Sequence, residues 1–453
     1  MFFKQFSLDG LACQSYLIGD GESAVVVDPQ RDVDMYLETA REHGMTIRHV
    51  IDTHLHADHV SGNTELAQRT GARLCIHPAA QAGYPHLPLP EGVEVHAGAV
   101  RLRALFTPGH TPDHISLAVT DSSRSDEPWF VLTGDWVFVG DIGRPDLLGQ
   151  AAARRLAGQM FESLHAQLPA LPDSAELYPG HGAGSLCGRA MSAKLSSTVG
   201  FERRFNPSLG IADKQTFIDA LTVDLPAQPP NVPYIKQLNR EGPPVLGELA
   251  AHHLSVAKVR ARLKQKAVLV DTREPAAFGA GHARGALNIM LSSSQFATRL
   301  GFLVEPGAPL IFVARGNEEC LRAFRAATRV GLDTVEGYLT AADAKALPAA
   351  SLPQVSVQRL SAALAKGSMH VLDVRERGEF SMGHVPGAQS IPLGQLPRRM
   401  DELPRGAPLA VICGGGERSS SAASLLARSG FEAVVNVSGG FDGWERAGLP
   451  IER

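Results

Sequence analysis

The sequence predicts an α/β protein of about three domains, and three observations lead to that class. Residues 47–52 read as a β-strand and run straight into THLHADH at 53–59, which packs His54, His56, Asp58 and His59 into six positions. Three later β-type runs also end on ligand-capable side chains, His110, Asp135 and His181. Roughly the last two hundred residues contain an internal repeat in which strands alternate with helical stretches, the pattern of a parallel sheet covered by helices.

Composition fits this class. The chain has 453 residues, 44% hydrophobic and 20% charged, enough for a core in each domain. No apolar run approaches the ~18–20 residues that span a bilayer. The net charge of −4 leaves no basic excess, so nucleic acid and anionic membranes are poor candidates for partners. Cys13, Cys75, Cys187, Cys320 and Cys413 are odd in number and free of CxxC spacing, which fits a reducing, cytoplasmic setting rather than a disulfide framework. Residues 1–6 are too short for a signal sequence and read as structure.

In chain order, residues 11–18 alternate like a strand and 23–28 form a buried strand. Residues 35–43 have helical spacing that stops at Gly44, a natural C-cap. After THLHADH come a helix at 64–70, a strand at 73–77, and a run at 100–106 that leads into Thr107-Pro108-Gly109-His110-Thr111. Residues 130–135 and 175–181 repeat this strand-to-loop exit with Asp135 and His181. Each alone could be an ordinary turn; together they place side chains where sheet ends gather them around one metal position. Imidazole with carboxylate suits zinc or iron, whereas calcium and magnesium take oxygen ligands.

These residues resemble the metallo-β-lactamase superfamily, with its HxHxDH signature at His54, His56, Asp58 and His59 and partners at His110, Asp135 and His181. The resemblance covers about the first half of the chain and implies an αββα sandwich. Within the superfamily the sequence is similar to the persulfide dioxygenases and to glyoxalase II. Gly143-Arg144-Pro145-Asp146 looks like the GRxD element of the dioxygenases, with Arg144 expected at the substrate. That likeness implies one iron(II) per chain held by His54, His110 and Asp135, with open positions for a persulfide sulfur and O2. His56, Asp58, His59 and His181 are then orienting groups or a vacant second-metal position. In a glyoxalase-type hydrolase the same seven residues hold two zinc ions.

Beyond His181, residues 182–189 form a glycine-rich turn, and a helical stretch from Ala190 carries Arg203 and Arg204. Cys187 reads first as a small buried thiol; the sharper reading makes it a sulfane-sulfur relay facing the metal pocket. Pro226, Pro229, Pro230, Pro233, Pro243 and Pro244 read as a semi-rigid extended linker that excludes a regular helix. The resulting domain limits are 1–245, 246–350 and 351–453.

In the repeat, Val270-Asp271-Thr272-Arg273-Glu274 lies on Leu372-Asp373-Val374-Arg375-Glu376, Phe278 on Phe380, and Gly281-His282 on Gly383-His384. A strand of the second copy ends at Cys413-Gly414-Gly415-Gly416-Glu417-Arg418-Ser419. Three glycines let successive N–H groups turn inward around the thiol, while Arg418 and a helix N-terminus add positive potential. Such a loop stabilises a thiolate and cradles an anionic sulfur donor. In the first copy Ala314 stands at the cysteine position, Glu319 falls on Arg418 and Cys320 on Ser419, so that copy is expected to be silent. The copies look like two rhodanese domains with parallel sheets. That likeness implies sulfur transfer through Cys413, with Gly414, Gly415, Gly416, Glu417 and Ser419 lining the substrate site.

The fusion favours a persulfide dioxygenase coupled to sulfur transfer. Its expected partners are glutathione persulfide or another low-molecular-weight thiol persulfide, O2, and thiosulfate or sulfite. The alternative is a dinuclear zinc thioester hydrolase with a rhodanese interaction module; a non-catalytic sulfide sensor is the least expected. The silent copy is expected to position the active one or to form a homo-oligomer interface.

Overall fold

Alternation along single strands decides how the first part of the chain layers. The structure, a computed structural model, describes residues 1–453 except Asp9, Leu186, Ala190, Asp224, Pro226 and Ala227. Pro226 of the expected linker, and Leu186 and Ala190 after His181, therefore lie outside the described residues. The chain divides into two compact units, Met1–Leu225 with Val232–Gly247, and Pro226–Asn231 with Glu248–Arg453.

In the first unit β1 (Phe2–Leu8), β2 (Cys13–Asp20), β3 (Ser23–Val27), β4 (Thr46–Ile51), β5 (Arg73–Ile76) and β6 (Leu87–Pro88) form one sheet in that order. Next come β7 (Glu94–Ala97), β8 (Val100–Phe106), β9 (Ile115–Asp121), β10 (Phe130–Gly134), the hairpin β11 (Val137–Phe138) and β12 (Asp141–Ile142), β13 (Glu176–Pro179) and β14 (Ser197–Thr198). The second sheet runs β14-β13-β10-β9-β8-β7.

Tyr16 and Ile18 of β2 face the second sheet and pack with Leu102, Leu117 and Leu132. Leu17, between them, points the other way and packs with Tyr36 of α1 (Asp34–Glu42) and Leu66 of α2 (Asn63–Thr70). On the far side, Leu105, Val131 and Leu177 meet Met160 and Leu164 of α3 (Gln150–Gln167); α4 (Val199–Phe205) follows, and α5 (Lys214–Thr222) adds Phe217 and Leu221. This is an αββα sandwich. The central strands β2, β3, β9 and β10 bury both faces, at ~1.5–3 kcal/mol per large apolar side chain, so a one-residue slip would exchange the two layers' contacts and the register is firmly set.

The proline-rich segment corrects one expectation. Val232–Glu241 is a helix, α6, with Pro233 in its first turn, where the missing N–H has no helical partner to lose. The segment is no extended linker: Thr64 Oγ1 donates to Pro243 O at 2.6 Å, Arg31 Nη2 to Pro244 O at 2.9 Å, and Leu246 N–H to Glu65 Oε2 at 2.7 Å. Past the glycine-rich turn, α4 begins only at Val199, where the Thr198 hydroxyl accepts the Phe201 N–H at 3.2 Å as an N-cap.

The second unit holds two parallel sheets. One is ordered Leu287–Asn288, Val268–Asp271, Leu310–Val313, Val335–Leu339; the other Gln354–Ser356, Val434–Ser438, Leu409–Ile412, His370–Asp373, Gln389–Ser390. The central strands Val268–Asp271, Leu310–Val313 and Leu409–Ile412 are buried on both faces, as helix-covered parallel strands are. Among the described residues no helix is long and apolar enough to cross a membrane.

Candidate metal centre and cysteine loop

Strands β8, β10 and β13 run parallel to one another, because β9 is antiparallel to both β8 and β10 while β13 pairs parallel with β10. Their C-terminal ends therefore face one way and deliver His110, Asp135 and His181 together; the end of β4 delivers THLHADH. His54, His110 and Asp135 are buried, and each offers one ligand atom within 4.8 Å of the others.

Hydrogen bonds choose which atoms those are. His110 Nδ1 donates to Arg144 O at 2.8 Å, leaving Nε2 as a bare lone pair. The Thr53 hydroxyl donates to Asp28 Oδ2 at 3.0 Å and so accepts from His54 Nδ1 at 2.9 Å, which leaves the Nε2 of that ring. Asp135 Oδ1 accepts from His181 Nδ1 at 2.7 Å. The atoms left over, His110 Nε2 and Asp135 Oδ2, are buried 3.2 Å from one another and make no hydrogen bond. Unspent buried polar atoms converging on one point are costly unless an ion takes them. Two neutral imidazoles and one carboxylate fit a divalent transition metal. Burial pushes both His54 and His110 below the usual histidine range, which favours the neutral, ligating form.

The remaining motif residues are not gathered at that point. Asp58 Oδ2 accepts from His181 Nε2 at 2.7 Å, and Asp58 Oδ1 contacts His59 Nδ1 at 3.2 Å. Burial opposes a charge on His181, but Asp135 and Asp58 on either side outweigh it and raise its pKa. His56 turns away to Asp28 Oδ1 at 3.2 Å. Even so, His56 Nδ1 and His59 Nε2 are also buried and unpartnered. Arg144 is 3% exposed and forked onto Asp146 at 2.6 and 2.7 Å, and its carbonyl accepts from His110. Cys187 lies within 4.8 Å of ligand atoms of Asp135 and His181, and burial pushes its thiol up to about 12.

Several residues here carry no sequence signal strong enough to single them out. Cys13 donates to Asp58 Oδ2 at 3.2 Å, brought across by an isolated bridge between Cys13 and His181. His114 accepts the Asp135 backbone N–H on Nε2 at 2.8 Å; burial first, then His110, lowers its pKa to about 3, so it is a neutral acceptor. Its i+4 spacing from His110 was the available hint. Asn239, on α6, donates to His56 O and His59 O at 2.9 and 2.8 Å and accepts the Ser61 N–H at 2.9 Å, clamping THLHADH from nearly two hundred residues away.

In the second unit, Cys413 is buried at the end of Leu409–Ile412. Its Sγ accepts the Gly416 N–H at 3.1 Å and lies 3.3 Å from Ser419 Oγ, the start of a thiolate cradle. Gly416 sits at φ +105°, a conformation that favours glycine, and precedes the helix Glu417–Arg428. Gly415 is exposed, so the loop opens to solvent beside the thiol. Arg418 is forked onto Glu379 at 2.6 and 2.7 Å.

The silent copy corrects the pairing of the two loops. Thr272 N–H bonds Val313 O as Val374 N–H bonds Ile412 O, so Ala314 does match Cys413. But the first helical bond runs Cys320 N–H to Gly316 O in one copy and Ser420 N–H to Gly416 O in the other. Cys320 therefore matches Ser420, not Ser419, and Glu319 matches Ser419, not Arg418. The silent loop is one residue shorter. Glu319 turns back, accepting Arg315 N–H at 2.5 Å and Arg315 Nε at 3.0 Å, and fills its own anion position. A pocket of about 420 Å³ persists beside it, lined by Arg273, Ala314, Arg315, Glu319 and Arg322.

Comparison with known proteins follows this division. The metallo-beta-lactamase superfamily matches residues 8–181, and the rhodanese-like domain matches 255–339 and again 356–447. The chain belongs to the metallo-β-lactamase superfamily and carries two rhodanese-like domains fused behind that domain. It is similar over 75% of its length, at 31% identity and a TM-score of 0.67, to 99% of the crystal structure of a metallo-beta-lactamase from Staphylococcus aureus. Persulfide dioxygenase ETHE1 of Mus musculus is 29% identical over 225 residues, 47% of this chain and 79% of that protein. A hydroxyacylglutathione hydrolase of Anaeromyxobacter dehalogenans is 35% identical over 168 residues, 37% of this chain and 60% of that protein. The chain is an enzyme, and its first domain is similar both to persulfide dioxygenases and to a hydroxyacylglutathione hydrolase of this fold.

Proposed function

We propose that the first domain is an iron(II) persulfide dioxygenase acting on a low-molecular-weight thiol persulfide such as glutathione persulfide, and that Cys413 transfers sulfane sulfur in the same pathway of sulfur oxidation. The overall change is RSSH + O2 + H2O → RSH + SO3²⁻ + 2H⁺. The observation that carries the reading is the convergence of ligand atoms of His54, His110 and Asp135, those of His110 and Asp135 without a hydrogen bond, beside an Asp58–His181–Asp135 chain that is already satisfied internally. Iron(II) held by His54, His110 and Asp135 would supply the redox chemistry that joins a persulfide sulfur to O2. The protein's own part is orientation: Arg144 O and Thr53 hold the two imidazoles, His114 holds Asp135, and Asn239 holds the loop between His56 and His59. Cys187, facing Asp135 and His181, is the candidate for a sulfur relay.

One stoichiometric iron per chain and O2 uptake with glutathione persulfide support the proposal. Stoichiometric zinc with no O2 uptake would sink it. Cys413→Ser should leave O2 uptake with premade persulfide intact, since the two sites act in separate steps. The second reading, a dinuclear zinc thioester hydrolase, draws on the unpartnered His56 Nδ1 and His59 Nε2 and predicts two metals per chain with hydrolysis of a glutathione thioester.

A further inference from the structure

Arg299 lies in the helix Phe296–Leu303 of the silent copy and is only 6% exposed. Its Nη2 reaches Glu417 Oε2 at 3.1 Å, on the first residue of the helix that follows the Cys413 loop. Nε and Nη1 of the same guanidinium are buried with no hydrogen-bond partner. Donors left unspent on a buried cation are costly, and they are what an arriving oxyanion satisfies.

The position is held, not incidental. Asn288 N–H donates to Ser424 Oγ at 2.9 Å, Ser420 Oγ to Asn288 Oδ1 at 2.5 Å, and Arg428 Nη1 to Gly285 O at 2.6 Å, pinning the silent copy to the helix after Cys413. Burial works against the charge of Arg299, Glu417 and the Cys413 sulfur favour it, and Arg418 opposes it, so guanidinium and nucleophile share one field. Arg418, the loop's own arginine, is forked onto Glu379 through both terminal nitrogens.

We infer that Arg299 is the anion receptor of the Cys413 loop, supplied by the silent copy, and that it binds the sulfonate end of an oxyanion-capped sulfane donor of the thiosulfate class. This rests on the reading of Cys413 as the sulfur acceptor. The step balances without an oxidant: Cys–S⁻ + S–SO3²⁻ → Cys–S–S⁻ + SO3²⁻. The new bond joins Cys413 Sγ to the sulfane sulfur, the old sulfur–sulfur bond breaks, and sulfite leaves with its electron pair. Negative charge grows on the sulfite, which is the end a guanidinium fork matches.

The test uses the full chain, thiosulfate with cyanide as acceptor, and a hydropolysulfide as a second donor that has no sulfonate. Arg299→Gln is expected to raise the KM for thiosulfate at least about tenfold, equivalent to ~1.4 kcal/mol, while leaving the hydropolysulfide reaction nearly unchanged. Arg299→Lys should recover part of the loss. Glu417→Gln should lower the thiosulfate KM by releasing the guanidinium, a gain that misfolding cannot imitate. An unchanged thiosulfate KM in Arg299→Gln, or equal losses with both donors, overturns the inference alone. Turnover that survives Cys413→Ser overturns the reading of Cys413 beneath it.

Discussion

The two rhodanese-like copies share a parallel sheet, a strand end and a following helix, yet they close the gap between strand and helix differently. In the second copy four residues, Cys413 to Gly416, span it, and the αL geometry at Gly416 turns an N–H onto the sulfur at 3.1 Å. In the first copy three residues, Ala314 to Gly316, span it, and Glu319 takes the loop's N–H group itself. Silence is therefore more than a missing thiol. An anion site is made by leaving donors unspent, and the first copy spends them internally.

The largest expected effect separates the copies by nucleophile. Cys413→Ser should lower thiosulfate:cyanide transfer by at least about a thousandfold, while Cys320→Ser, in the silent copy, should leave it unchanged; steady-state assays on the full chain check both. Next, Ala314→Cys placed in the Cys413→Ser background should restore no transfer, because Glu319 holds the anion position in a loop one residue shorter. Recovered turnover would show that the missing thiol was the whole difference.

A smaller effect compares the two helix-start glycines. Gly416 has φ +105°, and a Cβ there would come within 3.3 Å of Val437 O, so Gly416→Ala should cost ~1–2 kcal/mol and lower the Tm. Gly316 has φ 175°, extended backbone, with open space around a Cβ, and Gly316→Ala should leave the Tm nearly unchanged. Thermal melts of both variants check this.

The smallest effect concerns the Arg418–Glu379 pair, which has no counterpart in the silent loop. Burial raises the Glu379 pKa, but the Arg418 hydrogen bonds and charge outweigh that and hold it below the usual glutamate range. A depressed carboxylate stabilises the fold above its unfolded pKa of ~4.3 and loses that contribution as pH falls through its folded pKa. Glu379→Gln should thus cost at most ~1 kcal/mol at neutral pH, given the pair's partial exposure. The cost should shrink as pH falls below the usual glutamate range, as urea titrations at neutral and acidic pH would record.

Much of the molecule is legible in its residues because it depends on short-range pattern. Alternation at 11–18 and the apolar runs ending at His110, Asp135 and His181 announce strands and their exits, and two aligned DxR segments announce the repeat. What was hidden depends on contacts across long sequence separations. Pro233 looks like a helix breaker until it sits in the first turn of α6, and Asn239 acquires meaning only when that helix folds back onto His56 and His59. Cys13 joins Asp58 through one isolated bridge. Arg299 meets Glu417 only because the silent copy is packed against the active one.

By itself, then, the sequence determined the layers, the repeat and which side chains carry metal or sulfur chemistry, since these follow from periodicity and residue type. Tertiary structure alone decided which atoms of those side chains stay unspent. Hydrogen bonds with Thr53, Arg144 and His181 use one atom on each of His54, His110 and Asp135, and Glu319 closes one loop where Arg299 leaves the other open. The reason is physical: a donor's or acceptor's capacity belongs to the residue, but whether a neighbour has already used it belongs to the fold.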